Sequence, residues 1–186
     1  MEAKKQNTRK HLCMPGLLDR ARHSFDKIKD STSRKVNLSL TDCLMSGLAV
    51  FSLKYPSLLQ FDKNQREEKQ IKHNLKTLYK IKQVPSDTYL RERLDEVSPN
   101  QLQKTLNRLV AQLQRGKVLE QYRYFDDYCL VSLDATGFFS SHEIRCDNCC
   151  VKNHKDGTST YYHQMLACVM MNPRYETVFP LMLEPI

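Results

Sequence analysis

Apolar residues at Leu17, Leu18, Ala21, Phe25 and Ile28 follow the three- and four-residue spacing that gathers side chains on one face of an α-helix. The pattern stops in the polar run KDSTSRK. A second helix is predicted from Ser39, whose hydroxyl can accept from the orphan amides of a first turn. Leu40, Cys43, Leu44, Leu48 and Phe51 make its apolar face, and Met45, Val50 and Leu53 widen that face until little of the helix is polar, which predicts burial. Pro56, with no amide hydrogen, closes or kinks it. Beyond the charged stretch KNQREEKQ, Ile71, Leu75, Leu78, Tyr79 and Ile81 alternate with lysines in the pattern of an amphipathic, basic helix.

The clearest local signals lie in PSDTYLRERLDEVSPNQLQKTLNRLVAQLQRG. Ser86 precedes a short helix with Tyr89, Leu90, Leu94 and Val97 turned inward. Ser98, Pro99 and Gln101 then match a capping box with proline at the first helical position. Leu102, Leu106, Leu109, Val110 and Leu113 continue this helix, and Gly116 ends it with a residue that can take the left-handed conformation.

After Tyr122 the period changes to two. In residues 128–134, Cys129, Val131 and Leu133 point one way and Leu130, Ser132 and Asp134 the other. Apolar residues on both sides predict a strand covered on both faces. TYYHQMLACVMM and YETVFPLMLEPI are two further strands, and the short Asn172, Pro173, Arg174 connection between them favours antiparallel pairing. Asp156-Gly157 supplies the turn into the middle strand. The predicted class is α+β, divided into a basic N-terminal segment (1–37), a helical region (38–120) and a strand region (121–186).

Composition sharpens this division. The 186 residues are 40% apolar, enough for a packed core, yet no stretch reaches the roughly 18–20 uninterrupted apolar residues of a membrane span. Nor does MEAKKQNTRKHLCMPG carry the apolar core of a leader. The expectation is a cytoplasmic protein with no membrane partner. Its net charge of +8 is unevenly placed: residues 1–118 hold 24 Lys+Arg against 12 Asp+Glu, and residues 119–186 hold 5 against 9. A basic front half concentrates polyanions such as nucleic acid, while an acidic back half beside a polyanion suits metal binding. Arg91, Arg93, Lys104, Arg108, Arg115 and Lys117 surround the two consecutive helices. Two helices joined by a tight turn and studded with arginine resemble a helix-turn-helix DNA reader. A helical hairpin with a merely solvated basic face gives the same pattern.

Asp134 stands on the first apolar strand or at its C-terminal end. There a carboxylate either caps the turn through Thr136 or Gly137, or keeps its charge by holding a cation. PSDTYLRERLDEV, LQRGKVLEQYRY, LVSLDATGFFSSHEIRCDNC and HKDGTSTYYHQMLACVMMNPRYETVFPLMLEPI, taken together and in this order, resemble the N-terminal part of bacterial insertion-sequence transposases of the DDE type. The resemblance runs from about Leu38 to Ile186. It implies a ribonuclease H-like core whose first three antiparallel strands are encoded here, with Asp134 as the first catalytic acid. That family usually has Gly after the Asp and then Thr, where this chain has Ala135 before Thr136. The implied chemistry is two-metal: one Mg²⁺ activates water or a DNA 3′-hydroxyl, and the other stabilises the leaving oxygen. The implied partners are DNA, in particular transposon ends, and further copies or a full-length transposase. The second and third acids of the family motif have no match in this chain. Asp126 and Asp127 read as solvent-facing residues of the strand's entry loop, and Glu184 does not fit the motif. The chain is therefore expected to be a fragment or degenerate remnant, inactive alone. Val169, Met171, Val178 and Leu181 are expected to lack part of their cover. The alternative is a non-catalytic DNA-binding or regulatory product.

Seven cysteines at uneven spacing do not make a disulfide framework. Cys146, Cys149, His154 and His163 run as C-x2-C-x4-H-x8-H, with Cys150 and His142 as alternates, and this is the ligand chemistry of a Zn²⁺ site. Such a zinc would be structural, clipping the excursion between two strands. A reduced loop that contains cysteines is the plain alternative, and a small zinc-dependent RNA-binding protein is a third functional class.

Overall fold

Local signals set most of the helix boundaries. In the computed structural model, which describes residues 11–30 and 38–186, six α-helices precede the sheet among the described residues. They are α1 (Met14–Phe25), α2 (Leu40–Ser52), α3 (Leu58–Glu67), α4 (Lys69–Thr77), α5 (Asp87–Asp95) and α6 (Pro99–Arg115). Most of the polar run after α1, and much of the basic segment 1–37, lie outside the described residues. No described helix is long and apolar enough to cross a membrane.

Ser39 and Ser86 cap α2 and α5 as expected, accepting from the amides of Asp42 and Tyr89 at 3.1 and 3.4 Å. Ser98 does not: Pro99 occupies the first turn of α6, but the Ser98 side chain makes no cap bond. Gly116 ends α6 as its C-cap, as expected, but with φ −78°; the left-handed residue is the next one, Lys117, at φ 60°. The short helix α3, capped by Ser57 and bracketed by the Asp62–Arg66 ion pair, has no counterpart in the sequence reading. The charged KNQREEKQ run, which spans the end of α3 and the start of α4, hid it.

The chain divides into two compact units, Met1–Gly116 and Lys117–Ile186. In the first, α2 lies at the centre of a core formed by Leu18, Phe25, Cys43, Met45, Phe61, Leu75 and Leu90. Gly47 of α2 permits close approach of α5, since a Cβ there would sit 3.3 Å from Leu94. Phe51, expected on the buried face, is instead 81% exposed near the C-terminal end of the helix. Helix α6 packs on α1 and α5 packs on α2, so the two predicted hairpin helices take their main contacts from different neighbours.

The second unit contains a 3-10 turn (Leu119–Tyr122) and a five-stranded antiparallel sheet, where three strands were expected. The strands are β1 (Arg123–Phe125), β2 (Tyr128–Ser141), β3 (Cys150–Asn153), β4 (Ser159–Met171) and β5 (Phe179–Pro185). β2, β4 and β5 are the expected three, in the order β2-β4-β5, while β1 and β3 are short additions at the edges. β1 escaped detection because Asp126 and Asp127 are not merely entry-loop residues. They form its two-residue hairpin turn, with Asp126 at φ 45° and Arg123 bonded to Asp127. Asp156-Gly157 turns the chain into β4 as predicted: Gly157 has φ 86°, and Asp156 accepts from the Thr158 amide and hydroxyl. Those bonds, the hydroxyl's first, hold the Asp156 carboxyl below its ordinary range.

The expectation that β2 is covered on both faces is wrong. The unit has no α-helix, Leu133 keeps 64% of its surface exposed, and Leu130 and Val131 are exposed too. Apolar alternation on both faces records a strand that cover would suit, but cover must come from other elements, and this unit supplies none. Val178 is exposed, and Val169, Met171 and Leu181 are only half-buried.

Candidate functional site

Asp134 sits in the middle of β2, opposite Ala167, rather than at a strand end. The expected burial is not found: its side chain is exposed, and one oxygen accepts from the amide of the adjacent Ala135 at 2.8 Å. A carboxylate in water needs no metal to stay charged. Register also fixes which acids can join it. Asp134, Ala167 and Leu183 form one cross-strand row, whereas Glu184 lies in the next row with Leu166 and Ala135. Since side chains alternate, Glu184 is on the opposite face of the sheet. Among the described residues no cluster of carboxylates gathers around Asp134 to hold Mg²⁺.

The six basic residues picked from sequence separate into different roles. Arg93 is buried, paired with Asp30 at 2.6 Å and with Glu96, and these bonds raise its already high pKa. It is a structural cation, not a free phosphate contact. Arg91, Lys104 and Arg115 are exposed. Lys117 is exposed as well, but it belongs to the second unit, where it lies 3.9 Å from Glu120. Arg108 is half-buried, donating to Ser24 Oγ, which also accepts from Thr105 at 2.8 Å. These bonds help tie α6 to α1. Lys104 and Arg108 line one groove of about 160 Å³ together with Ser24, Ile28, Gln101 and Lys27. Lys27 was missed by sequence reasoning because it lies just beyond α1, whose pattern pointed only to its apolar face.

The cysteine segment is built onto β4 by three local devices. Ser141, at the end of β2, accepts from the amides of Glu143 and Ile144 and turns the chain off the sheet. Arg145 then donates to the Tyr161 hydroxyl at 2.8 Å, with its guanidinium 5.3 Å from the ring centre. Finally Cys146 to Cys149 close a turn, in which the Cys149 amide donates to the Cys146 carbonyl and the Cys146 amide donates to Cys149 Sγ at 3.3 Å. This puts both sulfurs over His163. The Sγ atoms are 3.7 Å apart, and His163 Nε2 lies 3.3 Å from Cys146 Sγ and 3.4 Å from Cys149 Sγ. A bulge in β2 between Gly137 and Phe139 brings Phe138 and Phe139 both against the His163 ring, with Phe138 stacked at 5.8 Å.

His154 does not join this group, and the pleat explains why. Its Nε2 bonds Thr160 Oγ1 at 2.7 Å, and Thr160 points to the face opposite His163. Cys150 pairs with Tyr162 and faces that same other side. His142 bonds the Ser159 carbonyl and lies beside His154. The predicted four-residue spacing thus resolves into three converging ligands and one histidine on the far face. Cys43, remote in sequence from this group, is a core residue: burial pushes its thiol up to about 11, so it is protonated at neutral pH.

No family model, curated protein or solved structure matches the chain.

Proposed function

We propose that the chain is the N-terminal portion of a DDE-type transposase, in which the helical unit contacts DNA and the sheet carries Asp134 as the first acid of the catalytic set. The observation that carries this reading is the antiparallel meander β2-β4-β5, with Asp134 in the middle of its first strand. The resemblance puts the first acid of a ribonuclease H-like core on that first strand. The groove of Lys27, Lys104 and Arg108 supports the DNA half of the proposal, since clustered cations on a strongly basic segment suit phosphate oxygens.

The chain by itself binds DNA without cutting it. This second reading, a non-catalytic binder, is favoured by the exposed Asp134 carboxylate, which among the described residues has Ala167 and Leu183, not a second acid, in its cross-strand row. Mg²⁺, if it is bound in the family manner, requires acids that the register does not bring to Asp134.

The test is a salt-dependent DNA-binding titration of the 186-residue chain, with cleavage assayed in Mg²⁺. Binding should weaken steeply with salt, and Lys27→Ala and Lys104→Ala should each reduce the log–log slope by about one. No cleavage is expected, and Asp134→Ala should leave binding unchanged. Absence of salt-dependent binding would sink the DNA contact. Reading the genomic DNA after the Ile186 codon tests the transposase assignment separately: a continuation encoding a further Asp and Glu supports it, and its lack leaves the binder.

A further inference from the structure

We propose that Cys146, Cys149 and His163 bind one Zn²⁺ in a three-ligand site whose fourth position is open to an exogenous ligand. This inference does not depend on the transposase reading, because it rests on the geometry of the sheet unit alone.

Metal–ligand bonds of about 2.3 Å to sulfur and about 2.0–2.1 Å to nitrogen, set at the tetrahedral angle, put the two sulfurs about 3.8 Å apart and each sulfur about 3.6 Å from the nitrogen. The distances here are 3.7 Å between sulfurs and 3.3 and 3.4 Å to nitrogen. The three donors therefore already outline one face of a tetrahedron. The sulfurs are too far apart for a disulfide bond, which needs about 2.05 Å. The amide of Cys146 donates to Cys149 Sγ, which fixes the second sulfur over the turn beside the first. Two thiolates and a neutral imidazole also select a borderline-soft cation such as Zn²⁺ over Mg²⁺ or Ca²⁺, which take oxygen ligands.

The surrounding residues fix the ligands rather than compete with them. Phe138 and Phe139 hold the imidazole ring, and the Arg145–Tyr161 contact anchors the segment next to Cys146. The nearby candidates for a fourth protein ligand turn away: Cys150 and His154 face the other side of the sheet, and His142 bonds the Ser159 carbonyl. Asp134 shares the face of His163 but is paired four residues further along β4, about 14 Å away at strand spacing. Cys146 is exposed, so the remaining position opens to water. A bound ion would close loops of 14 and 17 residues between the cysteine turn and β4, in the unit that has the least apolar core.

Metal content of the 186-residue chain, purified without chelator, tests the stoichiometry, and Co²⁺ substitution reads the ligand set. The expected result is about one Zn²⁺ per chain, lost in Cys146→Ser, Cys149→Ser and His163→Ala but kept in Cys150→Ser and His154→Ala. Tyr161→Phe, which removes the Arg145 acceptor, should weaken affinity about tenfold at unchanged stoichiometry. Because the ligand variants can fail to fold, the intact Co²⁺ form provides an independent reading. Its sulfur-to-metal charge-transfer intensity should correspond to two thiolates, and its visible bands should shift when free imidazole is added. Three or four thiolates, bands insensitive to imidazole, an equal loss of metal in Cys150→Ser or His154→Ala, or a Cys146–Cys149 disulfide with no metal bound would each overturn the proposal.

Discussion

The two units bury their apolar residues in opposite degrees. In the helical unit Phe61, Leu75 and Leu90 are each 1% exposed, and α1 to α5 all contribute to one cluster. In the sheet unit only Tyr122 and Asn172 are buried, although β2, β4 and β5 are rich in Leu, Val and Met. Both units satisfy their backbone by regular hydrogen bonding, but hydrophobic burial, at about 25 cal/mol per Å² of apolar surface, adds much more to one than to the other. A ladder gives a sheet its shape. Stable packing needs something against its faces, and that makes the sheet unit the place where a metal ion or a partner has the greatest effect.

The largest effect expected from this comparison comes from truncating the two kinds of apolar residue. Phe61→Ala should destabilise the helical unit by about 3–5 kcal/mol, through lost transfer energy and the cavity left behind. Leu133→Ala, on the open face of β2, should change stability by no more than about 0.5 kcal/mol. Urea unfolding followed by far-ultraviolet circular dichroism checks both, and a large cost for Leu133→Ala would mean that its face is covered in solution.

A smaller effect separates two arginines of α5. Arg93→Ala strands Asp30 and Glu96 next to a vacated site and should cost about 2 kcal/mol. This is below the roughly 3–5 kcal/mol of a fully buried pair because both carboxylates keep part of their hydration. Arg91→Ala, at an exposed position, should leave stability within about 0.5 kcal/mol and act, if anywhere, on DNA affinity. Thermal melts paired with DNA titrations distinguish the two, and the assignment of Arg93 as structural fails if its loss lowers DNA affinity alone.

The smallest contrast is between two serines that look alike in sequence. Ser39→Ala removes a side-chain bond to the Asp42 amide and should cost about 1 kcal/mol. Ser98→Ala removes no cap bond and should cost about 0.3 kcal/mol or less. Equal costs in chemical denaturation would show that Ser98 also caps in solution.

Local rules made a large part of this legible. The helical period of α1 and α2, the Ser39 and Ser86 caps and the Asp156-Gly157 turn all follow from residues within a few positions of one another. The candidate site was only partly legible for the same reason. Spacing could show that Cys146 and Cys149 reach one ion, because two residues separate them on one turn. It could not choose between His154 and His163, since that choice depends on which face of β4 each one meets.

By itself the sequence determined where helices give way to strands, the basic and acidic halves and the presence of a soft-metal ligand set, because period, charge and residue type are properties of the chain. The tertiary structure decided that Arg93 is buried, that Asp134 is exposed and separated from Glu184 by the sheet, and that His163 completes the triangle with the two cysteines. Each of those outcomes depends on strand register or on packing between distant segments. A shift of one residue in pairing would turn every one of the strand side chains to the other face.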